Sequence, residues 1–260
     1  MKQALLIWCF ALSAMAVSAQ NNRHNIYGNI GWFSATGTLK FSNKVSAHTE
    51  LHIRRYDFIP EAQQDMIRVG ANYQVKPNIL LRTGYAFAET YNYGDIPING
   101  LGRDFSEHRI FEMVQLTHKE GRFDLIHRYM LEQRFVGRYS SADVSKEDEF
   151  PMVNRIRYML RIQVPLKGNA IVDKTPYAAV YDEVMIAFGK NVNANVFDQN
   201  RIGLLLGYRF NKTIRVETGF INQIAQFGRL VNGKNVFQHN SGFMVNAIFN
   251  FDVSKKAKLQ

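Results

Sequence analysis

Charged and apolar residues alternate along a segment in the middle of the chain. From Arg122 to Phe135, one set of every-second residues is mostly charged, and the interleaved set is mostly apolar or aromatic. Because the side chains of a β-strand point alternately to its two faces, this pattern predicts a strand with one charged face. Similar segments recur along nearly the whole chain, with almost no helix-period apolar pattern. Strands that are apolar outward and polar inward, closed on themselves, predict a transmembrane β-barrel.

Alternation and turn residues divide the chain into about twelve strands of an all-β, antiparallel, up-and-down barrel. An even count is usual for single-chain bacterial barrels. The predicted strands are residues 24–33, 38–42, 45–56, 64–75, 79–89, 106–117, 122–136, 153–164, 177–188, 201–210, 213–226 and 237–252.

The predicted connections alternate between short and long. Tight turns at 43–44, 76–78, 119–121 and 211–212 separate longer polar loops at 57–63, 90–105, 137–152, 189–200 and 227–236. Two predicted connections depart from this alternation, a longer one at residues 165–176 and a short one at residues 34–37. Outer-membrane barrels have short periplasmic turns and long external loops, whereas a soluble sandwich has no reason to sort its loops.

The predicted outward rows are mostly apolar and tend to end in aromatic residues, as interfacial girdles do. His127 is an exception, because it lies well inside an outward row. The rows are Ile67, Val69, Ala71, Tyr73; Ile79, Leu81, Thr83, Tyr85, Phe87; Ile156, Tyr158, Leu160, Ile162; Ile202, Leu204, Leu206, Tyr208, Phe210; and Phe243, Val245, Ala247, Phe249, Phe251.

The N-terminus carries the features of a secretory signal peptide. A short positive start is followed by an apolar run, and Val17, Ser18 and Ala19 offer small residues before Gln20. This predicts a cleaved leader over residues 1–19, one barrel domain over residues 20–260, and an outer-membrane location. Cys9 is the only cysteine, so the mature chain has no disulfide, thiolate metal site or cysteine nucleophile.

The formal net charge of +10 comes largely from arginines within the alternating strands. This distribution, together with secretion, argues against nucleic acid as a partner. We expect the partners to be outer-membrane lipids and lipopolysaccharide, anions that enter the lumen, and the barrel-assembly machinery during insertion.

Several segments resemble an uncharacterised family of Gram-negative outer-membrane barrels, domain of unknown function 2490. The resemblance covers nearly all of the mature chain and implies the fold and the location, but it supplies no established activity. The segments that carry it are residues 127–135 (HRYMLEQRF), 155–158 (RIRY), 197–201 (FDQNR) and 219–223 (GFINQ).

The predicted inward rows carry the strongest chemical pattern, a set of arginines and carboxylates. They predict either side chains paired across a narrow lumen, which satisfies charges that are costly to bury, or a charged ring lining a narrow, anion-favouring pore. The predicted lumen charge network consists of Glu50, His52, Arg54, Arg128, Glu132, Arg134, Arg155, Arg157, Arg161, Arg215 and Glu217.

Two further constellations are weaker. His48, Glu50 and His52 share a strand face and could in principle bind a transition metal, although Arg54 continues the row. His239 and Ser241 share a face of the last strand, as in outer-membrane phospholipases, but no orienting third residue is identifiable. The sequence therefore predicts a structural or interaction barrel without cofactor, metal or catalytic residues. A narrow anion-favouring channel and a surface lipid hydrolase are the alternatives.

Overall fold

The computed structural model describes residues 22–192 and 195–254. The predicted leader, residues 1–19, lies outside the described residues. No helix in the described part of the chain is long and apolar enough to cross a membrane.

Eleven strands account for the regular structure of the described residues. They are β1 (Arg23–Lys40), β2 (Val45–Tyr56), β3 (Glu61–Lys76), β4 (Ile79–Thr90), β5 (Phe105–Glu120), β6 (Phe123–Val136), β7 (Met152–Pro165), β8 (Thr175–Phe188), β9 (Phe197–Arg209), β10 (Ile214–Val231) and β11 (Lys234–Asp252).

These strands form one closed barrel in which every strand pairs with its neighbours in the sequence and β1 pairs with β11. All sequential pairs are antiparallel, and β1 and β11 run parallel along their whole length. Strand direction alternates along the chain, so the first and last of an odd number of strands point the same way and must pair in parallel when the barrel closes. The barrel is therefore mixed, whereas the sequence predicts an even, fully antiparallel one.

The difference in count arises at residues 34–37, where the sequence predicts a short turn. In the structure β1 continues through this segment, with Ser34 opposite His52 and Gly37 opposite Thr49 in unbroken register. None of these small residues has the positive φ angle of a tight turn, and the segment pairs with β2 on one edge and β11 on the other, so it is accommodated as strand. One long strand thus replaces two predicted short ones.

A second difference lies between β10 and β11, where the sequence predicts an external loop over residues 227–236. The two strands instead extend as a hairpin closed by Asn232 and Gly233. Their φ angles are 50° and 74°, and an Asn-Gly pair with both φ angles positive is typical of tight two-residue hairpin turns. The flanking residues are therefore strand.

The connections sort by length between the two ends of the barrel. One end, here called the loop end, carries residues 57–60, 91–104, 137–151, the described residues 189–192 and 195–196, and the tight hairpin 232–233. The opposite turn end carries residues 41–44, 77–78, 121–122, 166–174 and 210–213. The alternation of short and long connections therefore holds, except for 166–174 and for the two short loop-end connections, 57–60 and 232–233.

The outward face of the barrel is predominantly apolar. Leu204 and Leu206 are 54% and 62% exposed, whereas Leu205 between them is 2% exposed. The predicted outward rows point away from the interior in the same way, as Ile67 and Val69 do on β3. The period-2 pattern thus gives the correct register.

Polar side chains on the outward face pair with one another across neighbouring strands. The clearest pair is Asp182 and Asn200, whose Oδ1 and Nδ2 are 2.6 Å apart. Asn222 donates to Ser241 at 2.9 Å, and Gln133 donates to Glu112 at 3.3 Å. Such pairing lowers the free-energy cost of placing these groups in an apolar surface.

His127 belongs to a group of rings near the turn end of β6 and β7. Its Nδ1 lies 2.9 Å from the hydroxyl of Tyr158, and its ring stacks on that of His118 with centroids 5.6 Å apart. Tyr129 and Tyr158 continue the group, with centroids 5.0 Å apart. The exceptional histidine therefore lies among partners that satisfy its polar edge.

Candidate functional site in the barrel interior

Inward-facing side chains of five strands meet in the interior as a group that we call the central charge layer. Each is nearly inaccessible to solvent, because alternation directs it inward from a strand flanked by two neighbours. The layer consists of Glu50 on β2, Arg68 on β3, Glu132 on β6, Arg155 and Arg157 on β7, and Glu183 on β8.

Glu132 is the hub of this layer and has no exposed surface. Its Oε2 lies 2.6 Å from Nη2 of Arg155, and its Oε1 lies 3.0 Å from Nη1 of Arg157. Arg68 approaches from β3, with Nη2 3.5 Å from Oε1. Since β3 and β6 are not neighbours in the barrel, the Arg68 contact crosses the interior.

Glu50 forms the second node of the layer. Arg68 donates to its Oε2 at 2.6 Å, and the Nε2 atoms of His48 and His52 lie 2.8 and 2.9 Å from its two oxygens. Nη1 of Arg82 lies 2.8 Å from Nε2 of His48. In the suggested metal row, both histidines therefore contact Glu50, and Glu50 and His48 also contact arginines. Among the described residues, no group of three or more His, Cys, Asp or Glu is placed to hold a metal ion.

Glu183 forms the third node, from β8. Arg157 donates to its Oε1 at 2.7 Å, and Arg128 donates to the same atom at 2.8 Å. Arg128 lies on β6 with Glu132, yet its partner is two strands away. The long arginine side chain therefore reaches across the interior to a carboxylate of a strand that is not its neighbour.

Towards the loop end, two more carboxylates continue the network. Glu107 accepts from Nε of Arg109 at 2.8 Å and from Nε of Arg134 at 2.5 Å. Asp198 lies 2.6 Å from Nη1 of Arg155 and 3.2 Å from Nη1 of Arg134. Asp198 points inward at a bulge between β8 and β9, where the register shifts by one residue.

Towards the turn end, a smaller group closes around Glu217. Tyr177, which has no exposed surface, donates its hydroxyl hydrogen to Oε1 of Glu217 at 2.7 Å. Arg161 donates to both carboxylate oxygens of Glu217. Arg215 lies opposite Arg209 near the ends of β10 and β9 and is only half-buried.

Cations outnumber anions in this interior set. Its ten arginines are Arg54, Arg68, Arg82, Arg109, Arg128, Arg134, Arg155, Arg157, Arg161 and Arg201. Its six carboxylates are Glu50, Glu107, Glu132, Glu183, Asp198 and Glu217. The excess of positive charge lies mainly towards the loop end, because Arg54 forms no ion pair with any described residue and Arg201 reaches only to 3.9 Å from Glu183.

Above the central charge layer, at the loop end, lies a cavity of about 640 Å³ that we call the upper chamber. Arg54, Arg109 and Arg201 line it together with the carboxylates Glu107 and Asp198. The wall also includes Arg134, Arg138, Arg155 and Arg229, and the rest of the lining is mostly aromatic, aliphatic or amide, from the strands and from residues 98–101 and 225–229.

Trp32 lies in the wall of the upper chamber, between an arginine of β2 and an arginine of β9. The guanidinium carbon of Arg54 is 4.3 Å from the indole centroid, and that of Arg201 is 4.9 Å from it. The indole nitrogen donates to Oε1 of Gln63 at 2.8 Å. The ring therefore holds two cations close together, partly through cation–π attraction.

Residues 91–104 supply one further wall side chain, Tyr93. Its ring packs against Tyr56 with centroids 5.1 Å apart, and its hydroxyl donates to Gln238 at 3.4 Å. Burial raises the pKa of Tyr93 to about 12, so that it remains an uncharged donor at neutral pH.

The suggested His239 and Ser241 pair lies on the outward face, and each residue contacts another partner. Nε2 of His239 is 3.4 Å from Oδ1 of Asn25, and its ring stacks on Tyr27. The Ser241 hydroxyl accepts from Asn222. These contacts give the serine no activating base in the described structure.

Comparison with known proteins identifies one relationship. Residues 29–230 match the model of the family described as protein of unknown function, DUF2490. The chain belongs to this family. Neither a curated protein nor a solved structure matches. The match confirms the family that the sequence resembles, domain of unknown function 2490.

The sequence identifies one part of this interior and misses another. Arg109, Glu183 and Arg201 lie within predicted strands, and alternation alone would have marked them as inward. Asp198 is different, because it lies in a segment predicted as loop and points inward only through the bulge. Which arginine meets which carboxylate depends on the stagger of the closed barrel, and a single-strand pattern carries no information about that stagger.

Proposed function

We propose that this DUF2490 protein is an outer-membrane barrel whose lumen is closed by the central charge layer. It would serve as a membrane-embedded structural or binding protein and not as an open solute channel. The observation that carries the proposal is the environment of Glu132, which is fully buried and contacts arginines from two other strands, one of them across the interior.

The outward face supports a bilayer as the surrounding solvent. Large apolar side chains around the whole barrel are a third to two thirds exposed, among them Leu51, Val69, Ile110, Ile156 and Leu206. A continuous apolar surface of this kind is unfavourable in water and matches the lipid-facing band of transmembrane barrels. Closure by the β1–β11 pair leaves no unpaired sheet edge to face lipid.

The charge pairing supports a closed lumen. An ion taken out of water loses several kcal/mol of solvation, which is recovered only if counter-charges and hydrogen bonds replace the water. Glu132, Arg155 and Arg157 have such partners and are at most 5% exposed. A water-filled, ion-conducting pore would leave its charged lining hydrated.

The same reasoning and the predicted leader support an outer-membrane location. The proposed mature chain begins at Gln20, crosses the inner membrane through its signal peptide, and is inserted by the barrel-assembly machinery with the loop end outside. Its surroundings are then outer-membrane lipids and lipopolysaccharide. We propose no enzymatic activity for it.

Two measurements test this proposal. N-terminal sequencing of protein from the outer-membrane fraction should give Gln20, and recovery of an intact Met1 form or of soluble periplasmic protein contradicts the location. Proteoliposomes containing the refolded chain should retain chloride as well as protein-free vesicles do. Rapid chloride release would favour the anion channel.

A further inference from the structure

The upper chamber combines the size of a ligand pocket with a mixed lining. Its volume of about 640 Å³ lies in the range of small-molecule sites, which span roughly 300–1,000 Å³. Leu101 and Arg138 line it and are exposed, so the chamber reaches the surface between the loops. A small molecule can therefore enter from the loop end without opening the central charge layer.

The charges at the chamber floor are not balanced. Arg54 and Arg201 are 7% and 8% exposed and are both packed on Trp32, so two cations share one site. Arg54 donates to the neutral amide of Gln64 at 2.7 Å. Among the described residues, Nε of each of these two arginines is buried without a hydrogen-bond partner. Paired arginines such as Arg68 also leave an Nε unused, so the sign of a missing anion is the weak counter-charge: Arg54 forms no ion pair with a described residue, and Arg201 lies 3.9 Å from Glu183.

The chamber wall is suited to an uncharged molecular body. Trp32, Tyr93 and Phe227 are at most 8% exposed and line the chamber together with Val192. Aromatic and aliphatic walls with a few convergent polar groups are typical of sites for organic ligands, whereas a site for a bare inorganic ion has no need of them.

We propose that the upper chamber binds a small organic anion, with a phosphate or carboxylate group held by Arg54 and Arg201 and an apolar body packed against Trp32 and Tyr93. Guanidinium groups suit this role because their planar donor pairs match the geometry of an oxyanion. The bound anion would also relieve the repulsion between the two cations. Ligand binding in the upper chamber is a separate property from closure of the lumen. The two are measured separately, by titration with a ligand and by chloride retention.

Trp32 provides the reporter for the test. The chain has two tryptophans, Trp8 and Trp32, so Trp8→Phe in the full chain leaves Trp32 as the single tryptophan. The refolded protein is titrated in detergent with phenyl phosphate, and benzamide serves as the uncharged aromatic control. We expect a saturable change in Trp32 emission with phenyl phosphate and none with benzamide over the same concentrations.

Three variants locate the binding. Arg54→Gln and Arg201→Gln should each weaken the affinity for phenyl phosphate by tenfold or more, and Arg215→Gln at the turn end should change it less than twofold. Phenyl phosphate should also raise the thermal unfolding midpoint of the parent chain and of Arg215→Gln, because it binds the folded state. Equal responses to benzamide and phenyl phosphate, or unchanged affinity in both chamber variants, would overturn the proposal.

Discussion

The central charge layer and the upper chamber, here called the two halves of the barrel interior, differ in how their buried charges are compensated. In the central charge layer, Glu132 has three arginine neighbours and Arg155 has two carboxylate neighbours, so every charge is shared. In the upper chamber, Arg54 faces an amide and an indole ring and forms no ion pair with a described carboxylate. Arginine is thus paired throughout the central charge layer, whereas Arg54 in the chamber wall is uncompensated.

This difference in pairing distinguishes arginines that stabilise the fold from arginines that are available to bind a ligand. A charge that is fully paired contributes to the folded state, and its loss strands its partners. A buried charge without a partner does not stabilise the folded state and is available to a ligand. Substitutions in the two halves should therefore differ in unfolding free energy even where residue type and burial are the same.

The largest effect is expected for Glu132→Gln. It leaves Arg155, Arg157 and Arg68 without their common counter-charge, and breaking a buried ion pair costs about 3–5 kcal/mol. Urea unfolding of the refolded protein in vesicles measures the loss. A loss below about 1 kcal/mol, as at solvent-exposed pairs, would mean that water screens the layer and that the two halves are alike.

A charge on the outward face should cost slightly less. Leu204→Arg places a cation near the middle of β9, where the bilayer penalty is about 2–4 kcal/mol. Phe210→Arg, just beyond the turn end of β9, is the matched control and should cost about 0–1 kcal/mol. Leu205 cannot serve as a control because it is 2% exposed, so that an arginine there would overpack the interior. Equal unfolding free energies for Leu204→Arg and Phe210→Arg would contradict a surrounding bilayer.

A moderate effect is expected from a single hydroxyl at the turn end. Tyr177→Phe removes the hydrogen bond to Glu217, and a hydrogen bond to a charged group contributes about 1.5 kcal/mol or more. Tyr181→Phe is the control, because the hydrogen bond that its hydroxyl makes to the described residues is to the weak acceptor Sδ of Met244 at 3.4 Å, and this variant should lose about 0.5 kcal/mol or less. Denaturant midpoints for the two variants, measured side by side, should differ in this order.

The smallest effect on stability is expected for Arg54→Gln. It removes a buried cation that lies near Arg201 and forms no ion pair with a described residue, which is stabilising, but it also removes that cation's contacts with Gln64 and Trp32, which is destabilising. Because the two effects oppose each other, the unfolding free energy should change by less than about 1 kcal/mol. Arg155→Gln, an equally conservative change in the central charge layer, should cost several times more because it strands Glu132 and Asp198. Similar losses for the two arginine variants would remove the distinction between the two halves.

Alternation made most of the fold predictable from the sequence. Strands such as β2 and β7 are recovered to within a residue or two, and their inward rows contain Glu50, Arg155 and Arg157. Residues 34–37 were not predictable as strand, because their pairing with β2 and β11 depends on two distant segments. The tight turn at Asn232 and Gly233 does have a sequence signal, its Asn-Gly pair, which the polar composition around it obscures.

The candidate site was less predictable than the fold. The sequence gives the inward-facing rows to which Arg54 and Glu132 belong. It does not show that Arg54 lacks an ion pair with the described residues or that Glu132 contacts three arginines. That distinction depends on the stagger of the barrel, on the bulge that points Asp198 inward, and on residues 91–104, which place Tyr93 over the interior. All three are properties of the closed barrel.

The current through the protein in a planar lipid bilayer tests the central claim most directly, if the wild type is compared with Glu132→Ala/Arg155→Ala. The double variant removes one charge of each sign, and the residues left behind keep partners, since Arg157 retains Glu183 and Asp198 retains Arg134. The account predicts no steady current from the wild type and discrete open steps from the folded double variant. A steady current through the wild type, or a folded double variant as silent as the wild type, would contradict closure by the central charge layer.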